Sequence, residues 1–180
     1  MRRAVAAMLA ALFWAGPAGA AVFDFNGAEL TTDTGEAVRF SPGLFAAPVT
    51  IVSFTFTGCT SVCPTASLVM NEVKQLAGKA DMEIGLVTFT LDPLNDVPEV
   101  LAAHRRETGI STDPAWKWIT GKPSDLIGVV ERLGVKWGAL DQHPSFFLLV
   151  SKDGAQSQTL WELETTGPAL IDAAKAMAAR

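Results

Sequence analysis

The segment PVTIVSFTFTGCTSVCPTASLVMNEVKQL, residues 48–76, decides the fold. Its opening stretch, residues 48–56, is rich in β-branched and aromatic side chains, which predicts a strand buried on both faces. From Pro64 onward the apolar residues recur at helical spacing, with Leu68 and Val73 on one predicted face, and proline is favoured in the first turn of a helix. The segment therefore predicts a buried strand, a turn that holds Cys59 and Cys63, and a helix that starts at Pro64.

Outward from this segment, the chain alternates strands and helices. A turn signal at residues 33–35 predicts a β-hairpin near the start. Strands are predicted at 29–32, 36–40, 82–91, 116–120, 145–150 and 159–163, and helices at 64–76, 96–108, 124–133 and 168–179. Asp96 and Glu99 are predicted to cap their helix reciprocally. Alternating elements indicate an α/β sheet with helical crossovers, and a final antiparallel strand pair followed by a helix is typical of the thioredoxin fold. We expect an α/β, thioredoxin-like fold with an N-terminal β-hairpin.

The composition is that of a globular domain with no nucleic-acid partner. The 180 residues are 49% hydrophobic and carry a formal net charge of −5. The 14 lysines and arginines are spread along the chain without a basic run. Binding to nucleic-acid phosphates requires a concentrated positive surface, so the sequence excludes that class of partner.

Residues 1–20 have the pattern of a secretory signal peptide. A short positive region (residues 2–3) and an apolar stretch (residues 4–14) precede a small-residue cleavage site at 18–20. The apolar stretch is shorter than the roughly 20 residues that a membrane span needs. An uncleaved N-terminal anchor is the alternative. We expect residues 21–180 to form one periplasmic domain with no stable membrane span after cleavage.

The two cysteines of the chain, Cys59 and Cys63, have the spacing of a reactive or metal-binding pair rather than of a disulfide that stabilises the fold. A structural disulfide is the alternative in an exported protein, but so small a loop removes little entropy from the unfolded chain. The predicted turn places both side chains at the carboxyl end of a strand and at a helix N-terminus, which favours thiolates. Their three-residue separation suits a metal ion as well as a disulfide.

The chain has two histidines that are candidates to complete a metal site. His104 lies among charged residues of a predicted helix and is predicted to be solvated. His143 stands immediately before the predicted strand 145–150, a place that faces the cysteine turn in thioredoxin-like chains; an ordinary loop histidine is the alternative. Two thiolates and one imidazole form a soft, three-coordinate site that favours Cu(I). Structural zinc requires four ligands, and with His104 solvated the two cysteines and His143 supply three.

Three motifs together resemble the Sco/SenC family of copper chaperones. They are FTFTGCTSVCPT at residues 54–65, TLDPLNDVPEVL at residues 90–101, and His143 before a strand that ends in Lys-Asp-Gly at residues 152–154. The resemblance covers essentially the whole chain after residue 20. It implies a thioredoxin-like fold with one copper ion held by the two cysteines and His143.

The resemblance also implies a partner and one further site residue, and a departure from the family pattern predicts a backbone feature. The partner is a copper-receiving client protein, a cytochrome c oxidase subunit, whose copper centre is loaded or whose cysteines are reduced. Asp92 matches an acidic residue near the family's site; a turn residue before Pro93 is the alternative. Proline is unusual in the family after the histidine, and an X-Pro bond adopts cis at modest cost. We predict that the His143–Pro144 bond is cis.

The competing function is a thiol–disulfide oxidoreductase that reduces client cysteines without a metal. The same pair, Cys59 and Cys63, would serve both functions, since thiolates bind copper and also exchange disulfides. His143 discriminates them, because copper needs an imidazole and simple exchange does not. A peroxiredoxin-type peroxidase is disfavoured, because Phe56 stands three residues before Cys59, where that class has Thr or Ser.

Overall fold

The computed structural model describes residues 22–61, 63–136, 145–161 and 164–180. These residues form one seven-stranded sheet with hydrophobic cores on its two faces. The strands are β1 (Glu29–Thr32), β2 (Ala37–Arg39), β3 (Val49–Thr55), β4 (Ile84–Thr90), β5 (Trp116–Gly121), β6 (Phe146–Ser151) and β7 (Ser157–Trp161). The helices are α1 (Cys63–Lys79), α2 (Pro98–Glu107), α3 (Pro123–Arg132) and α4 (Gly167–Ala178). None of these helices is long and apolar enough to cross a membrane.

The strand order is β2-β1-β5-β4-β3-β6-β7. Strands β3, β4 and β5 are parallel neighbours, whereas β6 and β7 are antiparallel, as is the β1–β2 hairpin. Every residue of β3 is buried, as a central strand covered on both faces requires. The predicted α/β, thioredoxin-like fold with an N-terminal β-hairpin is confirmed.

The side chains of β3 alternate between the two cores. Val49 and Ile51 join the core formed with α1, α2 and α4. Val52 and Phe54 join the core formed with α3, against which Phe23 and Phe25 also pack. Because both faces of the strand are covered, its apolar side chains occur on both sides rather than on one.

Helix α1 is longer than predicted and presents a different face to the sheet. It begins at Cys63 and runs through Gly78 to Lys79. Its buried side includes Ala66, Met70 and Val73, which recur at helical spacing. Leu68, which shared the predicted apolar face with Val73, is instead 60% exposed. Strand β7 likewise begins two residues earlier than predicted.

The predicted reciprocal cap of α2 is wrong. The N-cap residue is Val97, which makes no side-chain capping bond, and Pro98 opens the helix. Proline has no backbone N–H. With Pro98 at the first position, the helix therefore has one fewer unpaired N–H group for a cap to satisfy. The Asp96 carboxylate makes contacts elsewhere, described below.

A buried ion pair ties α2 to the end of the first hairpin strand. Arg105 donates through Nη1 to Asp33 Oδ2 at 2.7 Å, and the two side chains are 0% and 6% exposed. The guanidinium also donates to the backbone carbonyls of Ser111, Asp113 and Trp116. These bonds compensate the cost of taking the charges out of water.

Candidate functional site

Strand β3 and helix α1 together position the two cysteines. The strand ends at Thr55 and the helix begins at Cys63, so Cys59 lies in the turn between them. Cys59 and Cys63 form a disulfide with their Cα atoms 6.0 Å apart. The Cys59 N–H donates to the Phe56 carbonyl at 3.0 Å, which closes the turn. The pair therefore lies at the carboxyl end of a central strand, as predicted.

The two sulfur-bearing residues differ in their access to solvent. Cys63 is 3% exposed, whereas Cys59 is only half-buried. The Cys63 N–H donates to Cys59 Sγ at 3.4 Å, and the Ser61 hydroxyl lies 3.7 Å from the same sulfur. Cys59 is thus the more accessible of the two cysteines, and the Cys63 N–H and the Ser61 hydroxyl lie where they would stabilise a thiolate at its sulfur.

The buried carboxylate of Asp96 connects the cysteine turn to the end of β4. It is 0% exposed and accepts hydrogen bonds from the Thr57 N–H, at 3.1 Å to Oδ2, and from the Thr57 hydroxyl, at 2.5 Å to Oδ1. The Thr90 hydroxyl donates to it as well. Sequence reasoning missed this role because Asp96 also fitted a helix cap. The sequence signal for this role is that Asp96 follows a strand parallel to β3, which places it at the same edge of the sheet as the cysteine turn.

Asp92 makes its contacts within its own turn. The side-chain amide of Asn95 donates to its carboxylate at 2.7 Å, and its backbone carbonyl accepts from the N–H groups of Asn95 and Asp96. These bonds are those of a turn that follows β4 and leads to α2. A place for Asp92 beside a bound metal stays a prediction.

His104 lies closer to the cysteines than the sequence predicts. It is half-buried rather than solvated, with its ring centroid 6.0 Å from that of the fully buried Trp118. It also lines a cavity of about 120 Å³ to which Cys59 and Cys63 contribute. The charged neighbours of His104 in sequence suggested a solvated face, but the helix turns this residue toward the sheet.

The predicted third ligand, His143, lies outside the described residues, as does Pro144 and with it the predicted cis bond. Within the described ranges, no group of three or more His, Cys, Asp or Glu side chains is arranged to hold a metal ion. The sulfurs of Cys59 and Cys63 are adjacent donors for a soft metal, and the His104 imidazole lines the same cavity. Because those sulfurs are bonded to each other, both can reach one ion after reduction.

An ion pair on the far part of α1 perturbs the titration of an aspartate. Lys74 Nζ lies 2.6 Å from Asp113 Oδ2. The hydrogen bond from Lys74, supported by the Ala115 N–H, lowers the pKa of Asp113 below the usual 3.8. The pair fixes α1 to the segment that precedes β5.

Comparison with known proteins identifies the family. The SCO1/SenC family model matches residues 24–179, nearly all of the chain. The chain belongs to the SCO1/SenC family. Both the cysteine turn and the Asp92–Asp96 segment fall inside the matched region of this SCO1/SenC protein.

A curated relative supports the assignment at lower coverage. The SCO2-like protein of Rickettsia felis is 26% identical in an alignment of 136 positions that covers 70% of this chain and 63% of the relative. The chain therefore matches less than two thirds of that relative's length.

Solved structures of family members share the fold of this SCO1/SenC protein. A SCO1/SenC family lipoprotein from Bacillus anthracis superposes with a TM-score of 0.73 at 22% identity, over 87% of this chain and 95% of the other. BsSco, a member of the Sco family of cytochrome c oxidase assembly proteins in which a disulfide switch is identified, gives 0.70 at 24% identity, over 87% and 97%. Copper-bound ScoI of Bradyrhizobium japonicum gives 0.67 at 22% identity, over 85% and 98%.

Proposed function

We propose that this SCO1/SenC protein is a Cu(I)-binding metallochaperone for the assembly of cytochrome c oxidase. The observation that carries the proposal is the Cys59–Cys63 pair at the carboxyl end of β3, with one cysteine buried and the other accessible. Family membership and the copper bound to ScoI of Bradyrhizobium japonicum support copper as the cargo. BsSco, described as a cytochrome c oxidase assembly protein, supports the client.

The chemistry of the donors favours monovalent copper. Reduction of the disulfide gives two thiols, which lose their protons when their sulfurs bind a metal. Two soft thiolates select Cu(I) over harder ions, and one imidazole completes a three-coordinate site. We assign that imidazole to His143.

The difference in exposure between the cysteines suits transfer of the ion. Cys63 is held in the first turn of α1 and is covered by protein, so it anchors the ion. Cys59 lies in the turn before the helix and is half-buried, so a ligand of the client can approach the copper from that side. A three-coordinate ion leaves room for such an incoming ligand.

The second candidate function is a thiol–disulfide oxidoreductase. The observation that favours it is that the same two sulfurs form a disulfide, of which one is accessible and one is protected. The reduced pair would attack a client disulfide through Cys59 and release one client thiolate. Cys63 would then attack Cys59 Sγ, closing the disulfide described here and releasing the second client thiolate.

The location that we propose is the periplasm, reached through a signal peptide at residues 1–20 that leaves residues 21–180 as the mature domain. The support is the sequence pattern alone, since the structure describes the chain from residue 22 onward. N-terminal sequencing of the protein recovered from a periplasmic extract tests this. A first residue of Ala21 is expected, and recovery of intact Met1 from a membrane fraction would favour an anchor.

Titration of the reduced protein with Cu(I), read by X-ray absorption, tests the copper proposal. We expect one ion per chain, bound by two sulfurs and one nitrogen. Cys63→Ser should abolish stoichiometric binding, and His143→Ala should remove the nitrogen signal. His104→Ala is the matched control, because His104 is the other histidine of the chain, and it should leave the nitrogen signal intact. Loss of that signal in His104→Ala but not in His143→Ala would overturn the ligand assignment.

A further inference from the structure

The cavity beside the cysteine pair is too small for a cofactor. Its volume is about 120 Å³, whereas sites for small molecules and cofactors usually span roughly 300–1,000 Å³. Besides the two cysteines, its wall includes Pro64 and Leu68 of α1 and Ile110 after α2. A space of this size accommodates one side chain rather than a ligand of cofactor size.

The wall of the cavity favours an uncharged, apolar side chain. No Asp, Glu, Lys or Arg is among the described residues that line it, and His104 is its ionisable group besides the cysteines. A charged side chain would lose its hydration there without gaining a counter-ion. Leu68 lines the cavity and is yet 60% exposed, so it presents apolar surface that an entering side chain would cover.

The neighbouring disulfide indicates which kind of molecule supplies the apolar side chain that enters the cavity. Cys59 Sγ reacts with thiols and disulfides, and Cys63 is shielded at 3% exposure. A protein that reacts with Cys59 must bring its own cysteine to the mouth of the cavity. The residues next to that cysteine then lie within reach of the cavity wall.

We propose that this cavity is a specificity pocket that holds an apolar side chain adjacent to the reactive cysteine of the client protein. The proposal deepens the thiol-exchange route described above and rests on it. In the step concerned, the Cys59 thiolate attacks one sulfur of a client disulfide. A bond forms between Cys59 and that sulfur, the client disulfide breaks, and its other sulfur leaves as a thiolate.

A pair of activated peptides tests the pocket. Each carries one cysteine in mixed disulfide with 5-thio-2-nitrobenzoate, flanked on both sides by leucine in one peptide and by serine in the other. The reduced Cys63→Ser variant attacks the peptide sulfur through Cys59 and releases the coloured thiolate, whose absorbance gives the rate. We expect the leucine peptide to react about tenfold faster. Burial of its leucine side chain in the cavity lowers the activation free energy relative to the serine peptide by enough for a rate ratio of this size. The first phase in reduced wild-type protein repeats the measurement without the Ser substitution.

Two matched leucine substitutions locate the preference. Leu68→Ser should reduce the ratio of the two rates to below about threefold, since it removes part of the cavity wall. Leu94→Ser is the control, because Leu94 is 77% exposed and does not line the cavity. Leu94→Ser should react with both peptides at the wild-type rates. In Leu68→Ser, the ratio of the two peptide rates cancels any change in the reactivity of the thiolate itself.

Three results would overturn the pocket. The first is equal rates for the two peptides in wild-type protein, and the second is a leucine preference that survives Leu68→Ser. A wild-type dimer in sedimentation that dissociates on Leu68→Ser would assign the cavity to a second copy of the chain and also overturn the proposal. Copper titration of the reduced wild-type protein separates the two proposals. Intact copper binding without a peptide preference removes the pocket alone, and the reverse result removes the copper function alone.

Discussion

The buried carboxylate of Asp96 accepts hydrogen bonds from both the backbone N–H and the hydroxyl of Thr57, two positions before Cys59. The two residues are 39 positions apart in the chain. They meet because β3 and β4 are parallel neighbours, so that the segments following them emerge at the same edge of the sheet. The cysteine turn is therefore fixed by a contact with the segment that follows β4.

Asp96→Ala should destabilise the protein and loosen the cysteine turn. It leaves the donors of Thr57 and Thr90 without their acceptor in a buried site, and each unsatisfied buried group costs about 1–3 kcal/mol. We expect the free energy of unfolding in urea to fall by about 3 kcal/mol and the reduction potential of the Cys59–Cys63 pair to shift. Asp92→Ala, which removes a turn contact to Asn95, is the control and should leave the potential near its wild-type value. An unchanged potential in Asp96→Ala would contradict the role in positioning the turn.

Alkylation of the reduced protein should label Cys59 before Cys63. The physical reason is access, since Cys63 is 3% exposed and Cys59 is half-buried. Peptide mass spectrometry after short exposure to iodoacetamide measures the order. Stoichiometric Cu(I) should slow labelling of both residues, because the metal occupies the sulfurs. Equal labelling rates with and without copper would place the metal elsewhere.

Arg105→Ala should unfold the protein far more readily than Arg132→Ala. Removing Arg105 leaves the buried Asp33 carboxylate without its counter-ion, and breaking a buried pair in this way costs about 3–5 kcal/mol. Arg132 pairs with Asp24 at 3.5 Å with both side chains exposed to solvent, a type of pair worth under about 1 kcal/mol. Thermal melting of both variants gives the comparison. Similar melting temperatures would show that the buried pair contributes little.

Acid should abolish the contribution of the Lys74–Asp113 pair. The pKa of Asp113 is lowered in the folded protein by the hydrogen bond from Lys74, so folding favours the ionised carboxylate. That stability is fully present above the unfolded value of 3.8 and is lost as the pH falls through the lower folded value. Asp113 is 42% exposed, so we expect a difference under about 1 kcal/mol between wild type and Asp113→Asn at neutral pH.

Urea unfolding across the acid range measures this difference. The gap between wild type and Asp113→Asn should close as the pH drops from about 5 to about 2. Lys117→Ala, which breaks a different ion pair with Glu36, serves as a comparison for general charge effects. A gap that widens in acid would contradict the sign of the pKa shift.

The sequence predicted those parts of the protein that depend on local patterns. The buried strand β3, the helix after it and the position of Cys59 and Cys63 between them follow from an apolar run, a proline and two cysteines. The order of strands and helices was equally readable, because each element carries its own periodicity.

The features that sequence reasoning missed depend on contacts between distant segments. Asp96 fits a helix cap by its position before Pro98, and nothing local indicates that Thr57 and Thr90 donate to it instead. His104 lies among charged residues, yet α2 turns it toward Trp118. Leu68 fits an apolar helix face, but a neighbouring side of the helix, which includes Ala66 and Met70, is the one that is buried. In each case the local pattern allowed two arrangements, and tertiary packing selected one.

The bond between Thr57 and Asp96 also bears on the order in which the site is completed during synthesis. Both cysteines leave the ribosome before Asp96 does, since the chain is made from its N-terminus. A nascent chain that ends at Thr90 contains β3, α1 and β4 but lacks the carboxylate that fixes the turn. Oxidation or metal capture at that stage would meet a cysteine pair whose turn is not yet held by this contact, whereas in the finished domain Cys63 is buried and Cys59 is half-buried.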